Sequence, residues 1–131
     1  MRRERGFSLV ELLVVIAIIG ILASVVAVQV TRHVAEARIV RARADLQSLA
    51  SAVETFRVLA VRLPAGLEEL LAPAGKTREP LLKSLPKDPW HRPYLYERTG
   101  SRTFVLRTLG ADGEEGGEGE DADLSSEDPQ E

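Results

Sequence analysis

The first thirty residues of this chain constrain its structure more than any other segment. Residues 1 to 6 carry three arginines, and the apolar run from 7 to 30 that follows contains a single charged residue, Glu11. A membrane-spanning helix needs about 20 predominantly apolar residues, so this run is long enough to cross a bilayer. An ionisable side chain at the centre of a membrane costs at least roughly 2.5 to 3.5 kcal/mol. We therefore predict a transmembrane segment at residues 7 to 30 and a specific role for Glu11.

Two simpler interpretations of this segment explain less of it. A secretory signal has a shorter apolar region, of about 7 to 15 residues, and ends in a small-residue cleavage site, whereas this run is longer and lacks a clear site. A plain membrane anchor accounts for the length of the run. It does not account for Glu11, nor for the abrupt Gly6-Phe7 junction between charged and apolar residues.

The motif from Gly6 to Glu11, with the sequence GFSLVE, resembles the class III signal of type IV pilins and type II secretion pseudopilins. The resemblance implies that prepilin peptidase cleaves after Gly6, removes residues 1 to 6 as a leader, and methylates the new amino terminus at Phe7. It also implies that Glu11 pairs with the N-terminal amine of a neighbouring subunit during assembly. A buried carboxylate is tolerated in a low-dielectric setting when it has such a partner.

The arginines at positions 2, 3 and 5 predict the orientation of the chain. Because cytoplasmic flanks of membrane helices are enriched in Lys and Arg, the N-terminus is expected in the cytoplasm. We predict a single-pass protein of the bacterial inner membrane, with a periplasmic domain at residues 31 to 124. About 100 residues beyond the membrane are enough for one small domain.

A helical pattern continues beyond the apolar run. An apolar stripe with steps of three and four residues is formed by Leu46, Leu49, Val53, Phe56 and Ala60. Because neither Gly nor Pro occurs between Gly20 and Pro64, we predict one helix from about residue 8 to residue 60, half of it transmembrane.

The remainder predicts a compact cap on the second half of this helix. Pro64 precedes a short amphipathic helix, residues 81 to 90 contain too many prolines for a regular element, and residues 94 to 98 and 102 to 107 alternate as a β-hairpin. The expected fold class is α+β and pilin-like. The long helix would pack against the short helix, the irregular loop and a small antiparallel sheet.

Three segments of the cap indicate which class within this family the chain resembles. The sequences LPKDPW at 85 to 90, LGADG at 109 to 113 and GGEGEDADL at 116 to 124 resemble the major, G-type pseudopilins of type II secretion. The resemblance implies a structural subunit that polymerises through its N-terminal helix into a pseudopilus, which drives export of folded proteins across the outer membrane. The partners it implies are further copies of the chain, minor pseudopilins, prepilin peptidase, an inner-membrane assembly platform, and membrane lipid before assembly.

The segment from 109 to 124 also suggests a calcium site. Asp112, Asp121 and Asp123 offer carboxylate oxygens, and glycines let the backbone turn its carbonyls toward an ion that takes six to eight oxygens. The carbonyl of Leu109 is the best backbone candidate. The alternative is a flexible, acidic, glycine-rich tail; the G-type resemblance, whose members bind calcium here, favours the calcium loop. The loop glutamates, which are Glu114, Glu115, Glu118 and Glu120, are expected to be solvated, and residues 125 to 131 to form a flexible acidic tail.

Other functions have little support in the sequence. It contains no nucleophile elbow, P-loop or zinc spacing, so we predict no enzymatic activity. The arginines at 38, 41 and 43 are not interleaved with aromatic residues, so they are interpreted as solvated surface and nucleic acid is not an expected partner. A type IV pilin or minor pseudopilin remains an alternative. So does a membrane-anchored, calcium-binding periplasmic protein that does not assemble.

Overall fold

The computed structural model describes residues 7 to 128, except for the side chains of residues 25 to 32. Residues 1 to 6 and 129 to 131 lie outside the description, and with them the predicted leader, Gly6 and the end of the predicted tail. The chain divides between Val34 and Ala35 into two compact units.

One long helix, α1, runs from Leu9 to Ala60, which confirms the predicted helix in both bounds. Ser8 accepts the first hydrogen bond of the helix, from the N–H of Leu12 to its carbonyl at 3.2 Å. The first turn contains Glu11 and the last turn contains Arg57, so each charge has the sign that the helix dipole favours at that end. The helix ends one residue before Val61, which has a left-handed φ of 58°.

The hydrophobic core of the second unit forms on one face of α1. The predicted stripe is buried at Leu46, Leu49, Val53 and Phe56. The cap contributes Leu70, Tyr94, Leu106 and Leu124 to the same cluster. Burial of large apolar side chains stabilises a fold by about 1.5 to 3 kcal/mol each, so this cluster accounts for the pairing of helix and cap.

The predicted short helix is present as a 3₁₀ helix from Leu67 to Leu71. It is five residues long and buries Leu67 and Leu70. The segment that follows is irregular, as its prolines predict, with isolated bridges between Pro73 and Pro80 and between Lys87 and Pro93.

Three antiparallel strands form the sheet, in the order β1-β2-β3. Strand β1 spans Leu95–Arg98, β2 spans Phe104–Thr108 and β3 spans Leu124–Ser125. The predicted hairpin is therefore confirmed. The third strand differs from the sequence prediction, because Ser125 was expected to begin the flexible tail.

The pairing of β3 is extended by the residues that follow it. The N–H of Ser126 donates to the carbonyl of Leu106 at 2.8 Å, and the N–H of Leu106 donates to Oγ of Ser126 at 3.1 Å. Asp128 accepts a hydrogen bond from the N–H of Ser125 at 2.7 Å. These contacts attach the segment from 125 to 128 to the sheet.

Candidate functional site

The first candidate region is the apolar surface at the start of α1. Every large apolar side chain from Phe7 to Leu22 is exposed, with exposed fractions from 46% at Val15 to 78% at Phe7. Single exposed apolar side chains are ordinary, but a contiguous surface of this extent marks a site of interaction with another protein or with lipid.

The membrane prediction is tested only in part. Within the residues whose side chains are described, no helical stretch is long and apolar enough to qualify as a membrane span. The predicted span of residues 7 to 30 includes residues 25 to 30, whose side chains lie outside the description. It stays a prediction.

The second candidate region is the loop between β2 and β3, residues 109 to 124. Its path depends on two glycines with left-handed φ angles, Gly110 and Gly117. A Cβ atom on Gly110 would lie 2.6 Å from the carbonyl oxygen of Asp121, and one on Gly117 would clash with the same oxygen. The backbone at Gly110 and at Gly117 therefore passes very close to the carbonyl of Asp121. Only a residue without a side chain fits at these two positions.

Asp123 is the predicted calcium ligand that fits a metal site best. Its Oδ2 accepts a hydrogen bond from the N–H of Gly116 at 3.1 Å. Its Oδ1 is buried and has no hydrogen-bond partner among the described residues. An unsatisfied buried acceptor costs about 1 to 3 kcal/mol, and more when it is charged, so a cation or donor beside this oxygen would offset the cost.

The other predicted ligands do not converge on Asp123 as a cluster of side chains. Asp112 is exposed and its Oδ1 caps the N–H of Glu114 at 3.0 Å, while Asp121 is exposed in a short 3₁₀ turn. The carbonyl of Leu109 accepts the N–H of Gly113 at 3.1 Å, which leaves it one lone pair. Across residues 7 to 128, no three carboxylate or imidazole side chains come together in a geometry that could hold a metal.

Arg92 holds the loop in place, a role that the sequence did not indicate. Its Nη1 donates to the carbonyls of Gly110 at 2.8 Å and Ala111 at 2.9 Å, and its Nη2 donates to the carbonyl of Asp112 at 2.9 Å. A planar guanidinium suits such a set of neighbouring oxygens because its donors are fixed in one plane. The three carbonyls thus point toward Arg92.

The position of Arg92 depends on the buried carboxylate of Asp88. Asp88 is 2% exposed, and its Oδ1 accepts the backbone N–H groups of Trp90 at 3.0 Å and Arg92 at 2.7 Å. Its Oδ2 accepts the hydroxyl of Thr108, which is also buried. The carboxylate therefore ties the irregular segment to the end of β2, where the loop begins.

Two loop glutamates form ion pairs with arginines at the surface. Glu120 pairs with Arg38 of α1 at 3.1 Å, and Glu115 lies 3.9 Å from Arg107 of β2. Arg38 and Glu115 are exposed and Glu120 is partly exposed, so these pairs agree with the expected solvated surface. Partly exposed pairs of this kind contribute about 0 to 1 kcal/mol, so their main effect is to orient the loop against α1.

A hydrogen bond between Tyr94 and Asp45 joins the cap to the same helix. The hydroxyl of Tyr94 donates to Oδ2 of Asp45 at 3.1 Å. Burial raises the pKa of the Tyr94 hydroxyl well above its usual value, and the neighbouring Asp45 carboxylate raises it further. Tyr94 is also part of the hydrophobic core of the second unit.

Comparison with known protein families matches almost the whole chain. The family described as type II secretion system (T2SS), protein G matches residues 29 to 127. The prokaryotic N-terminal methylation motif matches residues 1 to 27. The two matched ranges correspond to the globular cap with its helix and to the apolar N-terminal segment.

Similar full-length proteins and a similar solved structure agree with these matches. The type II secretion system core protein G of Pseudomonas aeruginosa is 37% identical, over 95% of this chain and 96% of that protein. The protein of the same name from Vibrio cholerae is also 37% identical, over 96% and 93%. The crystal structure of the major pseudopilin from the type 2 secretion system of enterohaemorrhagic Escherichia coli has a TM-score of 0.53 at 25% identity, over 69% of this chain and 86% of that one.

Proposed function

The chain belongs to the type II secretion system protein G family, and we infer from this membership that it is a structural subunit of a type II secretion pseudopilus. The observation that carries the inference is the contiguous exposed apolar surface from Phe7 to Leu22, which lies within the matched methylation motif. Such a surface needs to be covered by other molecules. In an assembled filament, the corresponding segments of neighbouring copies cover it.

Assembly would begin with processing at the motif. Prepilin peptidase would cleave after Gly6, so that Phe7 carries the new, methylated amino terminus. Glu11 would then lie in the first turn of α1 of each mature subunit, where a neighbour's N-terminal amine is a partner of opposite charge. In an apolar setting this pairing offsets the cost of burying the carboxylate and fixes the axial position of one subunit against the next.

Before assembly, the subunit would be stored in the bacterial inner membrane. The basic residues 1 to 6 would remain in the cytoplasm, and the unit from Ala35 onward would lie in the periplasm. Transfer from lipid into the filament would replace lipid contacts of the apolar segment with helix-to-helix packing. The minor pseudopilins and an inner-membrane assembly platform would be its other partners.

We further propose that residues 109 to 124 bind calcium. The support is the buried, unpartnered Oδ1 of Asp123 together with the tight crossing of the loop at Gly110 and Gly117. Asp123 would supply the inner carboxylate, Asp112 and Asp121 further carboxylates from the loop surface, and Leu109 a backbone oxygen. Calcium accepts such mixed oxygen shells, and its positive charge would hold the acidic loop together.

A structural role fits the residues better than an enzymatic one. The family is one of pseudopilin subunits, and the conspicuous polar groups of the described chain, such as Asp88 and Arg92, make hydrogen bonds within the fold. A calcium-binding periplasmic protein that never assembles is the rival reading. Because that protein would be anchored in the membrane, lipid would cover its surface from Phe7 to Leu22, but the charge of Glu11 would be left without a partner.

Electron microscopy distinguishes these two functions. The full chain is overproduced together with a prepilin peptidase and a type II assembly platform, and surface or sheared fractions are examined for filaments. We expect filaments that contain the mature chain. A chain that is correctly processed and abundant in the membrane, but forms no filaments, would support the rival reading.

A further inference from the structure

We propose that a basic crevice at the C-terminal end of α1 receives the acidic loop of a second copy of this chain in the assembled filament. The crevice has a volume of about 500 Å³ and is lined by Arg57, Val61, Arg62, Ser101 and Arg102. It lies between the end of the helix and the turn of the β1-β2 hairpin. This inference rests on the proposed assembly into a pseudopilus and adds a second contact to the one made by the apolar segment.

The crevice carries an excess of positive charge. Arg57 is neutralised by Glu54 at 2.6 Å, and Arg62 is neutralised by Glu69 at 2.8 Å. Arg102 is exposed and forms no ion pair with any residue in the described range 7 to 128. A free guanidinium beside two paired ones attracts a carboxylate, and a guanidinium binds carboxylates in a bidentate geometry.

Val61 gives the crevice an apolar rim that is strained in the isolated subunit. It has a left-handed φ of 58° and is 89% exposed. A β-branched residue with a positive φ is a genuine outlier, because the left-handed conformation brings Cβ too close to the following carbonyl oxygen. Because its side chain is almost entirely exposed, contacts within the subunit do not offset this strain. Strained residues of this kind cluster at functional sites.

The complementary surface is the outer edge of the loop, at Glu114 and Glu118. Both side chains are exposed, and neither is ion-paired within residues 7 to 128. Their neighbours Glu115 and Glu120 contact Arg107 and Arg38 of the same chain. The two outer glutamates are also not among the proposed calcium ligands, so a bound ion leaves their charge available.

Within one copy, the acidic edge and the crevice cannot meet. The loop is attached to α1 at Arg38, by the ion pair with Glu120, whereas the crevice begins at Arg57. At a rise of 1.5 Å per residue, these two points lie about 28 Å apart along the helix. Subunits that stack in one direction bring the loop end of one copy toward the crevice end of another. That is a head-to-tail contact, the type that builds open filaments.

Disulfide trapping tests the contact directly, because the chain contains no cysteine. The full chain with Ser101→Cys and Glu118→Cys is assembled with the secretion platform and oxidised in the filament. A disulfide forms when the two Cα atoms lie roughly 4.4 to 6.8 Å apart, so the pair can only join different copies. We expect covalent dimers and higher multimers, and none above background from Ser101→Cys alone or from Ser101→Cys combined with Ser84→Cys, a matched exposed position outside the loop of residues 109 to 124.

Charge exchange provides a second measurement. Arg102→Glu and Glu118→Arg should each lower filament yield about fivefold at low salt, the factor that corresponds to an exposed ion pair of about 1 kcal/mol. The double variant should recover to within about twofold of the unsubstituted chain. High salt should reduce all these differences.

A failure of this inference can be distinguished from a failure of the proposed function. Normal filaments that give no disulfide above the controls, or a double variant as weak as the single ones, would overturn this inference and leave the proposed function intact. A failure of the unsubstituted chain to form any filament would overturn both.

Discussion

The apolar residues of α1 are arranged differently in its two parts. Between Phe7 and Leu22 the large apolar side chains point outward and are exposed, while between Ala42 and Phe56 they form one stripe that is at most 4% exposed. The secondary structure is the same in both parts, since one helix runs from Leu9 to Ala60. What differs is the presence of a cap, which covers the second part and not the first.

This comparison separates folding from assembly. The unit from Ala35 onward buries its own apolar face against Leu70, Leu106 and Leu124, so it has the core that a small domain requires. The first unit has exposed apolar surface, and none of its described side chains belongs to a buried core. Its stabilisation therefore depends on lipid or on other copies of the chain. Substitutions in the two parts should accordingly affect different measurements.

The largest effect is expected at the Gly6-Phe7 junction, in the sequence of the first unit. Gly6→Val places a bulky side chain at the proposed cleavage site, so prepilin peptidase should leave residues 1 to 6 attached. Intact mass after co-expression with the peptidase measures this, and the unsubstituted chain should lose six residues. A chain with Gly6→Val that still loses them would refute the assignment of the cleavage site.

The next largest effect is expected at Glu11. Glu11→Leu removes the charge from the apolar segment, so membrane insertion should be retained or improved, because a membrane-embedded carboxylate is costly. Assembly should fall by at least about tenfold, because a neighbour's N-terminal amine would be left without its partner. Membrane fractionation and filament yield are compared in the same cells. Unchanged filament yield would count against the pairing.

A matched pair of leucines tests whether folding and assembly depend on different parts of the chain. Leu106→Ala removes a fully buried side chain from the cap and should lower the free energy of unfolding of the second unit by about 2 to 5 kcal/mol. Leu13→Ala removes the same atoms from an exposed position on α1 and should leave that free energy unchanged, while it weakens assembly. Thermal or urea unfolding of the second unit in each variant distinguishes the two. Equal destabilisation of the second unit by both substitutions would contradict the separation of folding from assembly.

A smaller effect is expected from calcium, and only in the second unit. At a free concentration 100 times the dissociation constant, binding should stabilise the fold by about 2.7 kcal/mol. Asp123→Ala should abolish this gain and Asp112→Ala should reduce it, whereas Glu118→Ala, an exposed control in the same loop, should leave it intact. The measurement is the melting temperature with calcium and with chelator.

Chelator should also make residues 109 to 124 sensitive to protease, because the buried Asp123 carboxylate would lose the cation that offsets its burial. A melting temperature that responds to neither calcium nor chelator would favour the flexible acidic tail over the calcium loop.

The sequence predicted the structure correctly where a periodic pattern of apolar residues determines it. The steps of three and four from Leu46 to Phe56 predicted the buried face of α1, and the alternation at 94 to 107 predicted the β1-β2 hairpin. Strand β3 was missed because two residues, Leu124 and Ser125, are too short to show a period. Their position depends on pairing with Thr108 and Arg107, which is a tertiary contact.

The sequence predicted that the candidate loop is irregular and acidic, but it did not predict the contacts that hold the loop in place. Its glycines and aspartates indicated an irregular acidic loop. Nothing in the local sequence indicated that Arg92 would bind three loop carbonyls, or that Glu120 would contact Arg38, because both partners are distant along the chain. The left-handed φ of 70° at His91, which turns the backbone before Arg92, was also unexpected, because such a conformation is unusual for residues other than glycine.

Removal of residues 1 to 34 tests most directly whether folding and assembly reside in different parts of the chain. We predict that residues 35 to 131 unfold cooperatively with a defined melting temperature, sediment as a monomer at micromolar concentration, and form no filaments with the assembly platform. The full chain under the same conditions should form them. A shortened chain that is unfolded, or one that still assembles into filaments, would contradict the account.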